Sequence, residues 1–137
     1  MNEMTLVASY IATRFQKVKG SRIDEMKLHK LMYLAQRESL ARNDQPLFEA
    51  NIEGWRLGPV LPDLRSHYKN DTLSEVSELT EGQEIVDSVF DEYSDWDSLE
   101  LSRMTHHEIC WRKSRIGIHP SASSCNPIPL DDILDEL

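Results

Sequence analysis

The sequence predicts a mainly α protein, a compact single-domain bundle of about six helices with one short strand or hairpin element. Three observations predict it. Apolar residues recur every three to four positions through most of the chain, and only Phe48, Ala50 and Ile52 keep a period of two. Residue types that start and stop helices bracket the periodic stretches. The length, 137 residues, buries one core and divides poorly into two, so a single domain over 1–137 is expected.

Val7, Ile11, Phe15 and Val18 form one stripe of a first amphipathic helix, beginning near Thr5 and ending near Gly20. Asp24 supplies an N-cap carboxylate for a second helix, with Ile23 and Leu28 placed around it as a hydrophobic staple. Leu28, Leu31, Met32, Ala35 and Leu40 carry that helix, the longest, to a stop at Asn43, Asp44 and Pro46. The alternation through Phe48, Ala50 and Ile52 predicts a short half-buried strand, ended by Gly58 and Pro59. Pro59 has the fixed φ of a first helical position, so a third helix is expected to open there and to run through Val60, Leu61, Leu64 and Tyr68.

Thr80 and Gln83 read as a capping box for a fourth helix carrying Ile85, Val86, Val89, Phe90 and Tyr93. A short helix is expected from Ser98 to Met104, where Thr105 and Glu108 read as a further capping box for a helix to about Arg115. Arg112, Lys113 and Arg115 then oppose the negative end of its dipole, and Gly117 offers a left-handed stop. Residues 118–128, rich in serine and proline, read as a loop, and Pro129 restarts a C-terminal helix over 129–137.

The net charge of −9 is unevenly placed. Residues 1–69 hold 11 basic and 8 acidic residues, whereas residues 70–137 hold 4 and 16. Between Asp71 and Glu100 eleven acids occur with no Lys or Arg. Phosphate backbones demand neutralising cations, and the basic residues along the second helix, Lys27, Lys30, Arg37 and Arg42, form only a modest patch. Direct nucleic-acid binding is therefore not expected. A basic partner suits the acidic run; a solvated face kept for solubility is the plainer alternative. No apolar run approaches the roughly 20 residues that span a bilayer, and MNEMTLVASYIATRF lacks the basic start and small-residue cleavage site of a secretory signal. A cytoplasmic location without membrane contact is expected, with Cys110 and Cys125 as reduced thiols.

Candidate chemistries are weak. His106, His107 and Cys110 lie close together, but only His106 and Cys110 share a helical face and no second ligand pair completes a metal set. There is no nucleophile elbow, no phosphate-cradling glycine loop and no sheltered carboxylate pair. No enzyme activity, metal or cofactor is expected. Trp55, Trp96 and Trp111, with Tyr33 and Tyr68, suit a core and equally suit a protein interface.

Three motifs follow one another: Lys-Leu-x-Lys-Leu-x-Tyr at Lys27 to Tyr33, Trp-x-x-Gly-Pro-Val at Trp55 to Val60, and Met104-Thr105-His106 ahead of Trp111. Together they resemble the Panacea domain, the family of SocA-like antitoxins and phage-associated proteins, over most of the chain up to about Arg115. Two departures stand out: Met104 where the family has Leu, and Cys110 where it usually has Pro.

The resemblance implies a helical domain with a small strand element, and an antitoxin that neutralises a bacterial toxin by direct binding in a toxin–antitoxin system. The partner would be a protein toxin, encoded by an adjacent gene. Alternatives are a SocA-type proteolytic adaptor that hands its toxin to a bacterial protease, and a phage protein that binds a host factor. Lys27, Leu28, Leu31, Trp55, Gly58, Pro59, Val60, Thr105 and Trp111 are then expected to be architectural, with Thr105 as a cap. Lys30, Tyr33 and His106 are expected to face a groove, and Glu84, Asp87 and Asp91 to meet a basic partner.

Overall fold

In the computed structural model, which describes residues 1–137, strand β1 (Asn2–Glu3) leads directly into helix α1 (Met4–Lys19). Gly20, at φ 74°, donates back to the Gln16 carbonyl and closes that helix with a left-handed residue. Asp24 caps α2 (Glu25–Asn43) by accepting from the Lys27 N–H at 2.9 Å, and Asp44, at φ 55°, ends it.

Helix α2 is central because it is buried on more than one side. Leu28, Leu31, Met32, Tyr33, Ala35 and Gln36 are all 0% exposed. A polar residue at such a place needs partners, and Gln36 has them: its amide donates to the Phe48 carbonyl at 2.8 Å and its carbonyl accepts from the Leu47 N–H at 2.8 Å. That clamp holds strand β2 (Phe48–Glu49) in parallel register with β1, Asn2 opposite Phe48.

The expected strand through Ala50 and Ile52 is corrected here, because pairing resumes only at β3 (Glu53–Trp55), which forms an antiparallel hairpin with β4 (Gly58–Val60). Pro59 therefore lies in a strand, opposite Gly54, and does not open the third helix. The φ of proline suits an extended residue as well as a first helical one, and a second proline decides: α3 (Pro62–Lys69) starts at Pro62.

Helix α4 (Gln83–Tyr93) follows Gly82, at φ 73°, and has no side-chain cap. Thr80 is not the cap; the Gln83 side chain instead reaches back to the Leu79 N–H at 2.9 Å. The capping box belongs to α5 (Ser98–Thr105), where Asp97 and Glu100 exchange both bonds. Thr105 is likewise no cap: it is the last residue of α5, fully buried, and its hydroxyl donates to the Ser102 carbonyl at 2.9 Å. Helix α6 (Ile109–Ser114) is capped from a distance, by the Glu136 carboxylate beyond α7 (Leu130–Asp135), which accepts from the Ile109 and Cys110 N–H groups at 2.9 and 3.1 Å. The protein is thus mainly α, with seven helices and two small two-stranded elements where one was expected. A cluster of 26 buried apolar residues forms its core, and no helix is long and apolar enough to cross a membrane.

Candidate functional site

The three motifs meet where the β3–β4 hairpin is pressed against α2. Helical spacing puts Met26, His29, Lys30 and Tyr33 on one side of α2, toward the hairpin. Leu28 and Leu31 face the core at 0% exposure, and Lys27 turns the other way to donate to the Ser94 carbonyl at 3.0 Å.

Lys30 is 1% exposed, and its ammonium has one partner, the Pro59 carbonyl at 3.3 Å. Burial pulls its pKa down to about 8, against the opposing pull of Asp24 and Glu25. The stem of Lys30 dictates the glycine of the hairpin. A Cβ at Gly58 would lie 2.8 Å from Lys30 Cε and 2.7 Å from Thr105 Oγ1, at a φ of 121° that side chains avoid. At Gly54, across the hairpin, a Cβ would overlap Ser114 Oγ, so a side chain there would force Ser114 to move.

The third motif locks the hairpin from the other side. Ser102 donates to the Leu57 carbonyl, and Trp111 Nε1 donates to the Trp55 carbonyl at 2.8 Å. The His106 ring stacks on Trp111 with centroids 4.2 Å apart, and its Nε2 is buried without a hydrogen-bond partner. Burial, then the nearby Lys30 charge, holds its pKa below the usual imidazole value. Arg115 is buried as well, donating to the Gly54 and Ala122 carbonyls at 3.2 and 2.6 Å, and so ties the 118–128 loop to the hairpin.

Tyr33 does not reach the surface. Its hydroxyl donates to Glu108 Oε1 at 2.8 Å and lies 3.1 Å from Cys110 Sγ. Burial pushes the Tyr33 phenol well above its ordinary value and the Cys110 thiol up to about 12, so both stay neutral. No group of three or more His, Cys, Asp or Glu is placed to hold a metal ion. Cys110 also uses what a proline lacks, the N–H that Glu136 accepts.

Between these parts lies a cleft of about 690 Å³. Glu25, Met26, His29 and Lys30 of α2 form one wall; Trp55, Arg56, Leu57 and Val60 of the hairpin form the other. Arg65 of α3 and residues Ser123 to Cys125 close the ends. His29 Nδ1 accepts from the Leu61 N–H at 3.2 Å, which leaves Nε2 to donate to Glu25 at 3.0 Å; burial favours this neutral form. Glu25 is also 3.5 Å from Arg65, whose guanidinium stands 5.4 Å from the Trp55 ring. Of the cleft residues the motifs mark Lys30, Trp55 and Val60, whereas Arg56 and Arg65 carry no signal beyond their charge.

The acids of α4 lie elsewhere. Arg14 of α1 bonds Asp87 at 2.6 Å and Asp91 at 2.7 Å, and Tyr10 donates to Asp87; burial, then that bond, pushes the Tyr10 phenol up to about 12. Asp95 pairs with Lys19 and Glu81 with the N-terminus. Glu84 is exposed and has no cation beside it.

Fold and site together describe a mainly α domain in which three short motifs lock a hairpin onto a central helix and leave a cleft beside a buried lysine. The chain belongs to the antitoxin SocA-like, Panacea domain family, whose model matches residues 28–112 and so encloses all of the third motif and nearly all of the first. Membership supports an antitoxin-type role and a protein partner such as a toxin. No curated protein and no solved structure matches the chain.

Proposed function

We propose that this protein is an antitoxin that neutralises a cognate toxin in the cytoplasm by direct, stoichiometric binding, without a reaction of its own. The family match over residues 28–112 carries the reading. The charge pattern supports it: an excess of acids from Asp71 to Glu100 presents a negative field that speeds encounter with a basic protein. Glu84 contributes its full charge to that field, whereas Asp87 and Asp91 are half-neutralised by Arg14. This flank therefore steers, and the contact that holds the partner lies on a surface able to bury apolar area.

Co-expression of the chain with the toxic product of a neighbouring reading frame tests the proposal. Restored growth with co-purification of a fixed-ratio complex is expected, and a toxin half-life unchanged by the chain. A half-life shortened in the presence of an energy-dependent protease would replace stoichiometric binding with the adaptor reading. Failure of rescue and of complex formation would overturn both.

A further inference from the structure

A lysine buried in a domain of this size is an expense in stability unless something answers its charge. Lys30 has a single carbonyl at 3.3 Å, the long end of hydrogen-bond range, and its two remaining protons have no acceptor. The one carboxylate on the cleft wall, Glu25, is already shared between His29 at 3.0 Å and Arg65 at 3.5 Å. With Arg56 and Arg65 the cleft holds three cations against one carboxylate, in a chain whose net charge is −9. Met26, Trp55, Leu57 and Val60 supply the apolar part of the wall, with His29, Ser123 and Ser124 beside them. The site thus combines a desolvated ammonium lacking a counter-ion with walls for aliphatic or aromatic groups.

We propose that this cleft is a socket for an acidic, apolar peptide segment of a partner protein, in which one Asp or Glu carboxylate meets Lys30 and Arg65 while a flanking large apolar side chain packs on Trp55 and Leu57. Charge complementarity selects the carboxylate, since a basic or neutral group would leave Lys30 unanswered. The cleft's size is that of a few side chains, and it is partly open to solvent, as entry of a polypeptide requires. Trp and Arg at its mouth are the residue types that most often anchor protein interfaces. The inference does not depend on the partner being a toxin.

Selection of a randomised eight-residue peptide library on the full chain tests it. Sequences with Asp or Glu beside Leu, Ile, Phe or Trp are expected to be enriched. The best of them, made synthetically, should shift the amide resonances of Trp55, Leu57 and Arg65 and bind at least tenfold more tightly than the same peptide with Gln or Asn in place of the acid. Lys30→Met and the surface change Arg65→Gln should each weaken binding fivefold or more, so a folding defect in the first does not remove the test. No enrichment, equal affinity of acid and amide peptides, or shifts confined to α4 would overturn the proposal. Octanoate bound as tightly as the peptide would overturn the peptide as occupant.

Discussion

The cleft and the α4 flank are both charged, and they treat charge in opposite ways. On the flank the acids meet bases from the other half of the chain: Arg14 takes Asp87 and Asp91, Lys19 takes Asp95, and Arg22 lies 3.6 Å from Asp71. The electrostatic asymmetry between residues 1–69 and 70–137 is thus partly a device for docking α1 onto α4, and only the remainder is available as an outward field. In the cleft Lys30 is 1% exposed, at the cleft wall, yet holds one long hydrogen bond. Exposed pairs such as those of the flank contribute little each and are screened by salt, whereas a buried unanswered ammonium is a large local term. Under the proposed binding mode the flank acts on encounter rates and the cleft on the lifetime of a complex.

Changes that break the cleft should be felt most. Gly58→Ala puts a Cβ against Lys30 and Thr105 at a positive φ, and a loss of about 3 kcal/mol is expected by denaturant titration. Lys30→Met should do the reverse of an ordinary core lesion. Lys30 has a folded pKa of about 8, below its ordinary 10.5, so the unfolded chain holds the proton more strongly between those values. Wild type therefore gains stability relative to the Met variant as pH rises from about 8 to about 10.5, by up to about 3 kcal/mol. At pH 7 the Met variant should be at least as stable as wild type in thermal melts, and a lower Tm there would mean that the ammonium is a structural tie to Pro59.

Changes on the flank should be smaller. Arg14→Gln removes two partly exposed ion pairs, and a loss of about 1 kcal/mol is expected. The same change frees Asp87 and Asp91, so association with a basic partner should become faster at low salt, and stopped-flow mixing reads that directly. Glu84→Lys, a reversal at an unpaired exposed site, should leave stability unchanged and slow association about twofold at low salt, an effect that disappears in about 0.5 M salt. A slowed association that persists in high salt would show that Glu84 makes a close contact.

Much of the helical framework was legible because helix signals are local: Asp24, Gly20 and Asp44 act at α1 and α2 through bonds within a few residues. The misplaced caps fail in two ways. At Thr80 and Thr105 the pattern of a capping box is present, but Gln83 turns to a different local partner, the Leu79 N–H, whereas α6 receives its cap from the distant Glu136. No local pattern could reveal a cap 26 residues away. Pro59 was ambiguous in itself, because its φ serves strand and helix alike. At the site, the motifs marked Lys30 and Trp55 but placed Tyr33 in a groove, and only the packing places its hydroxyl beside Glu108 and Cys110. Arg65 and Ser123 to Cys125 join the cleft through tertiary folding that no spacing announces.

The claim that the cleft, more than the flank, holds the partner is tested most directly by rescue of growth during co-expression with the toxic product of a neighbouring reading frame. Wild type and Glu84→Lys are expected to rescue, and Lys30→Met, present at the same level and folded by circular dichroism, is expected to fail. Full rescue by Lys30→Met would contradict it.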